Sequence, residues 1–166
     1  NHAAEGDAVG TSLRGVALGV ITADCVPVLI AAQRAESVAV AHAGWRGTST
    51  GVVRKTVTAM VSDNGLEPSD LSAAIGPHIG VCCMEVGEEV FESFAQPELF
   101  ERRSSWDRPH LNLAEANRLQ LVDAGLLPEK IQISTLCTKC RSDLFHSYRR
   151  DADAAGRMLS VIGIEP

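Results

Sequence analysis

Three short apolar runs near the start of the chain constrain its fold most. Val16 to Thr22, Val26 to Ala32 and Ser37 to His42 are rich in Val, Ile, Leu and Ala, and only a few residues separate each from the next. Runs of this length, continuous rather than alternating, read as buried strands. Connections this short favour neighbouring strands in one sheet. Pro27 removes one ladder donor, so the second run begins at an edge or a bulge. Gln33 to Glu36 reads as the polar turn before the third run.

The period changes after Thr48. Val52, Val53, Val57, Met60 and Val61 recur at spacings of three and four, one face of a helix reaching about Ser62. Asn64-Gly65 is its C-terminal stop and Pro68 its exit. Leu71 to Ile75 reads as a strand, Gly80 to Val86 as an extended piece, Glu88 to Phe94 as a short helix, and Pro97 to Pro109 as irregular. Asn112 caps a second helix that Gly125 stops. Ile131 to Ser134 and Met158 to Ile164 are closing strands. Without a repeat or a linker, the expectation is an α+β fold: residues 1–166 as a single domain of mixed β-sheets flanked by helices.

With 166 residues and a formal charge of −6, the chain is a poor match for a nucleic-acid polyanion. No apolar stretch approaches the roughly 20 residues of a membrane span, and no signal-peptide pattern opens the chain. A cytoplasmic protein is expected, with neither nucleic acid nor membrane as partner. Asn1 to Ala8 lacks an initiator Met and reads as the interior of a longer protein. Five cysteines in a domain of this size point to reduced thiols rather than a disulfide framework. Cys82 and Cys83 read as small buried hydrophobes in a strand-like run.

Chemistry concentrates at two run ends. Cys25 stands between the first two apolar runs, and His42 closes the third. A thiol and an imidazole on neighbouring strands suit two of three zinc ligands with an open position. They suit equally a Cys/His nucleophile pair, and spacing does not separate these from a buried Cys with an unrelated surface His. Arg46, in Gly44-Trp45-Arg46-Gly47, is expected just before a helix whose free N–H groups, near Gly47 and Thr48, would take an anion. Phe145-His146-Ser147-Tyr148-Arg149-Arg150-Asp151 offers a second anion contact through Arg149 and Arg150 or a stacking platform, or else an ordinary charged loop. Cys137-Thr138-Lys139-Cys140 has the spacing of zinc knuckles, but a four-cysteine site would have to recruit Cys82 and Cys83.

Taken in order, Thr22-Ala23-Asp24-Cys25, Ala41-His42-Ala43-Gly44-Trp45-Arg46-Gly47-Thr48, Ile75-Gly76-Pro77 with Cys83-Met84-Glu85-Val86-Gly87, Leu136-Cys137-Thr138 and Phe145 to Asp151 resemble the YfiH-like family, also called the multicopper polyphenol oxidoreductase or laccase-domain family. The resemblance implies a fold akin to the CNF/YfiH-like cysteine hydrolases. It also implies purine nucleoside chemistry: phosphorolysis of adenosine, inosine and methylthioadenosine, and deamination of adenosine. Copper-dependent phenol oxidation is an older description. It implies zinc (copper as the alternative) held by Cys25, His42 and a third histidine in an upstream Gln-Val-His-Gly segment, which this chain does not contain. On that basis Cys25, His42, Arg46 and Asp24 are the expected catalytic set, Asp24 orienting a ligand or accepting a proton. Arg46, Gly47, Thr48, Arg149 and Arg150 are expected to hold substrate or phosphate. Whether the protein is a monomer or a homodimer stays open.

Overall fold

The computed structural model describes residues 6–32 and 37–166, so the expected turn at Gln33 to Glu36, like His2, lies outside the described residues. A five-stranded sheet forms the centre, in the order β1 (Ala8–Thr11), β4 (Val38–Ala43), β3 (Val26–Ala32), β5 (Leu71–Ile75) and β8 (Ile131–Ile133). Neighbours are antiparallel except β5 and β8, which run parallel. The register sets Val26 against Ala43, Val28 against Ala41 and Ile30 against Ala39. These residues form one core with Val53, Val57 and Met60 of α2 (Val52–Asn64) and with Leu113 and Leu121 of α4 (Leu113–Asp123). The row of alanines lets the helices pack close to the sheet, and the larger β3 side chains fill the layer. Asn112 caps α4 as its sequence suggests, its Oδ1 accepting the Glu115 N–H at 3.1 Å.

Alternation along the strands sends Cys25, Pro27 and Leu29, together with Val40, His42 and Gly44, to the other face. There β2 (Ala17–Thr22) and β9 (Met158–Gly163) make a separate antiparallel ribbon that packs on β3 and β4. This corrects the expectation of β2 as a buried strand beside β3. Between them Asp24 adopts φ +85°, a left-handed turn that carries the chain from ribbon to sheet. Only one face of the ribbon is covered, so Ile21 and Leu159 remain 62% and 65% exposed.

Three further expectations change. The first helix begins at Trp45, not after Gly47: α1 (Trp45–Ser49) is followed by Gly51 at φ +80°, where the axis breaks and α2 starts. Residues 81–83 form a turn rather than an extended piece, the N–H groups of Cys83 and Met84 both donating to the Gly80 carbonyl. In the stretch expected to be irregular, β6 (Phe100–Glu101) forms and pairs with β7 (His110–Leu111) just beyond it. The helix expected over Glu88 to Phe94 shortens to α3 (Glu88–Phe91), and Tyr148–Asp151 forms a single turn, α5.

Candidate metal and anion site

Cys25 and His42 share a sheet face. His42 pairs with Pro27 across β3 and β4, and continuing the register one step puts Cys25 opposite Gly44. The two side chains are therefore diagonal neighbours, the arrangement in which side chains from adjacent strands meet. A Cβ at position 44 would come within 3.1 Å of the Cys25 sulfur, so glycine there keeps the space beside it open. Asp7 completes the row: its carbonyl accepts the His42 N–H at 2.7 Å, and its carboxylate lies 3.6 Å from His42 Nδ1. A carboxylate on one ring nitrogen leaves the other for a metal, the usual setting of a metal-bound imidazole. Burial, then Asp24 and Asp7, push the Cys25 thiol above its ordinary pKa, and a cation at the sulfur would reverse that. One thiol and one imidazole fit two of the three protein ligands of a catalytic zinc. Among the described residues no third donor stands within reach of both. Sequence reasoning missed Asp7, which precedes a short strand and carries no periodic signal.

Asp24 lies beneath this site with both oxygens engaged. Oδ1 accepts the Thr138 hydroxyl at 2.6 Å; Oδ2 accepts the Ser147 hydroxyl at 3.0 Å and the Arg149 N–H at 2.6 Å. Its carbonyl takes the Ile79 N–H at 2.9 Å. A carboxylate committed to three protein donors organises four segments rather than standing ready to take a substrate proton. Nearby, His78 is 7% exposed and donates Nδ1–H to the Gly76 carbonyl at 2.8 Å. Burial lowers its pKa below 6.5 by more than that bond raises it. Neutral His78 therefore favours the folded state above the unfolded value of 6.5, and the contribution is lost as pH falls below it. Denaturant melts from about pH 7.5 to about pH 5 are expected to lose stability with a slope of up to about 1.4 kcal/mol per pH unit from this group. His78→Asn, which keeps a donor for Gly76, should flatten that component.

The anion candidates separate into two groups. Arg46 is exposed on α1, its guanidinium 4.3 Å from the Trp45 ring centroid. Arg149 is exposed and donates to the Glu85 carbonyl at 2.8 Å. Among the described residues neither pairs with a carboxylate. Gly47 sits close to the site: a Cβ there would lie 3.5 Å from the His42 carbonyl and 3.7 Å from the Asp7 carboxylate. Thr48 and Arg150 are occupied elsewhere, contrary to expectation. Thr48 is 1% exposed, its N–H donates to Gly44 and its hydroxyl pairs with Asn117 of α4, so it offers a ligand nothing. Arg150 forms a two-pronged bond to Asp151 and donates to the Thr138, Lys139 and Phe145 carbonyls, which makes it the brace of its own loop.

A groove of about 530 Å³ between β1 and α2 touches the Cys25–His42 row only at Asp7. A second metal-competent group does form: Cys82, Cys83, Cys137 and Cys140, with all four sulfurs within 4.8 Å of one another. Cys82 is exposed and Cys83 half-buried, so neither is the buried hydrophobe expected from the apolar run. Burial first, then the neighbouring thiols, push Cys82 up to about 11 and raise Cys83 as well. For Cys137 burial acts upward, but hydrogen bonds from Gly80 and Cys140 outweigh it and the thiol falls below its ordinary value.

The family model described as multi-copper polyphenol oxidoreductase laccase matches residues 1–165. A purine nucleoside phosphorylase YlmD from Geobacillus stearothermophilus is 43% identical over 162 residues, 95% of this chain and 59% of that protein. An adenosine deaminase RL5 from an unknown prokaryotic organism is 39% identical, over 94% of this chain and 61% of that protein. The crystal structure of the Bacillus licheniformis hypothetical protein YfiH superposes with a TM-score of 0.89 at 37% identity, covering 96% of this chain and 61% of the other. This chain thus spans about three fifths of the length of these relatives. With the matched model running nearly end to end and the α+β fold shared, the chain belongs to the multi-copper polyphenol oxidoreductase (laccase-domain, YfiH-like) family.

Proposed function

We propose that this chain carries the metal and anion site of a zinc-dependent purine nucleoside enzyme. Its main reaction is phosphorolysis of adenosine, inosine or methylthioadenosine to free base and (methylthio)ribose 1-phosphate, with adenosine deamination as a second activity. Relatives named as purine nucleoside phosphorylase and as adenosine deaminase support both halves of this reading. The observation that carries it is the row of Asp7, His42 and Cys25 on one sheet face, with Arg46, which pairs with no carboxylate among the described residues, on the helix that follows. Cys25 and His42, completed by the histidine the family resemblance implies, would hold zinc, which when bound would supply Lewis-acid chemistry at this face. Arg46 binds phosphate, and Arg149 adds a second positive charge. In phosphorolysis a phosphate oxygen bonds to C1′ as the glycosidic C–N bond breaks, and the purine leaves with a proton. Asp24 acts as a positioning residue: it fixes the corner that presents Cys25 and holds the backbone of Arg149.

The test uses the full-length protein. Arg46→Ala removes a charge-assisted bond to phosphate of about 1.5–3 kcal/mol, which predicts a loss on the order of 10- to 100-fold in kcat/KM for phosphate. Deamination, which uses no phosphate, should change far less. Unchanged phosphate dependence would remove Arg46 from the mechanism. A thiol-nucleophile hydrolase is the rival enzyme class, and burial with two nearby carboxylates works against its thiolate. Activity that survives chelators but is lost to iodoacetamide would favour that rival.

A further inference from the structure

Four of the five cysteines converge at a place the proposed reaction does not use. We propose that Cys82, Cys83, Cys137 and Cys140 bind one structural zinc ion, a clip between the turn after β5 and the turn before α5. The Cys82 and Cys140 sulfurs are 3.7 Å apart, and those of Cys83 and Cys140 3.5 Å. Four sulfurs each about 2.3 Å from a tetrahedral ion stand about 3.8 Å from one another, so these separations are those of a ligand shell. They are far from the 2.03–2.05 Å of a disulfide, and all four cysteines are free. Packing alone does not explain the gathering, because Cys82 and Cys140 are exposed.

The surrounding backbone is arranged for thiolates. Gly80 donates its N–H to the Cys137 sulfur at 3.2 Å, the kind of outer hydrogen bond that steadies a ligated sulfur. A Cβ at Gly80 would press to 3.3 Å on both the Cys137 Cβ and the Cys82 sulfur, so glycine allows the two turns to approach. All-sulfur tetrahedral sites select zinc or iron–sulfur units. Mutual proximity of all four sulfurs suits one ion, since ligands on the two irons of a cluster stand farther apart. On binding, each thiol releases its proton to solvent as its S–Zn bond forms.

The clip fixes Cys137, whose neighbour Thr138 grips Asp24. Only that effect on Asp24 rests on the proposed function; metal binding does not. In full-length protein, Cys25→Ala/His42→Ala is expected to retain one zinc per chain by elemental analysis. Adding Cys140→Ser should remove it, whereas Cys140→His, which restores a nitrogen ligand, should keep it. Cobalt substituted into the Cys25→Ala/His42→Ala protein should give an intense thiolate-to-cobalt charge-transfer band. Zinc removal should lower Tm by at least about 5 °C. No zinc in Cys25→Ala/His42→Ala, zinc unchanged by Cys140→Ser, iron in its place, or disulfides among the four would each overturn the proposal. Should the serine variant fail to fold, mercurial titration of Cys25→Ala/His42→Ala decides. One zinc released per four thiols supports the clip, and thiols reacting without zinc release overturn it. None of these readouts depends on turnover, so failure of the nucleoside reading would leave them interpretable.

Discussion

Asp24→Ala is expected to destabilise the folded protein by about 3–5 kcal/mol and to abolish activity with it. The substitution strands two buried hydroxyls, Thr138 and Ser147, and the Arg149 N–H. A buried donor left without a partner costs about 1–3 kcal/mol, and local re-pairing recovers part of the sum. Alanine is also strained at φ +85°, which adds about 1–2 kcal/mol. For a chain of this size the total corresponds to a fall in Tm of roughly 10 °C, readable by thermal or urea melts. Asp24→Asn separates the two effects. Asparagine tolerates the left-handed backbone, but its amide NH₂ faces a donor, so it should melt higher than the alanine variant while activity still suffers. An Asp24→Ala melt within a degree or two of the parent would show that the carboxylate does not hold these segments together.

Cys25→Ala should behave in the opposite way, leaving the fold and removing the chemistry. The side chain is half-buried and lies outside the main apolar cluster, so the melt should stay within a few degrees of the parent. Loss of a metal ligand is expected to lower ribose 1-phosphate release on the order of a thousand-fold, about 4 kcal/mol of transition-state stabilisation. Bound zinc should fall by one equivalent in the same preparation. Full zinc with activity lost would instead point to the thiol as nucleophile, and retained activity would remove Cys25 from the site.

Elements with a clear local signal were legible in the sequence. β3, β5 and α4 with its Asn112 cap lie where their apolar runs and end signals put them. The pairing of β3 with β4, which brings Cys25 and His42 to one face, was legible as well, because a short connection leaves few other ways to bury two apolar runs. The place of β2 was not. Its partner β9 lies more than a hundred residues away, and one backbone angle at Asp24 directs the chain out of the sheet. Thr48 and Arg150 look like ligand contacts in a motif, yet a distant partner, Asn117, for one and three carbonyls of its own loop for the other decide their roles. The four-cysteine group was half visible as an adjacent pair and a Cys-x-x-Cys. Two turns joined only in three dimensions complete it.

The tether between α1 and α4 bears on how an anion would be met. Thr48 is bonded through its hydroxyl to Asn117, and its carbonyl receives the Gln120 amide at 2.6 Å. The peptide chain beneath Arg46 is thereby immobilised before any ligand arrives. Capture then freezes little more than the torsions of one long side chain, itself already steadied on an indole. The entropy an anion would surrender on meeting this side chain is correspondingly small.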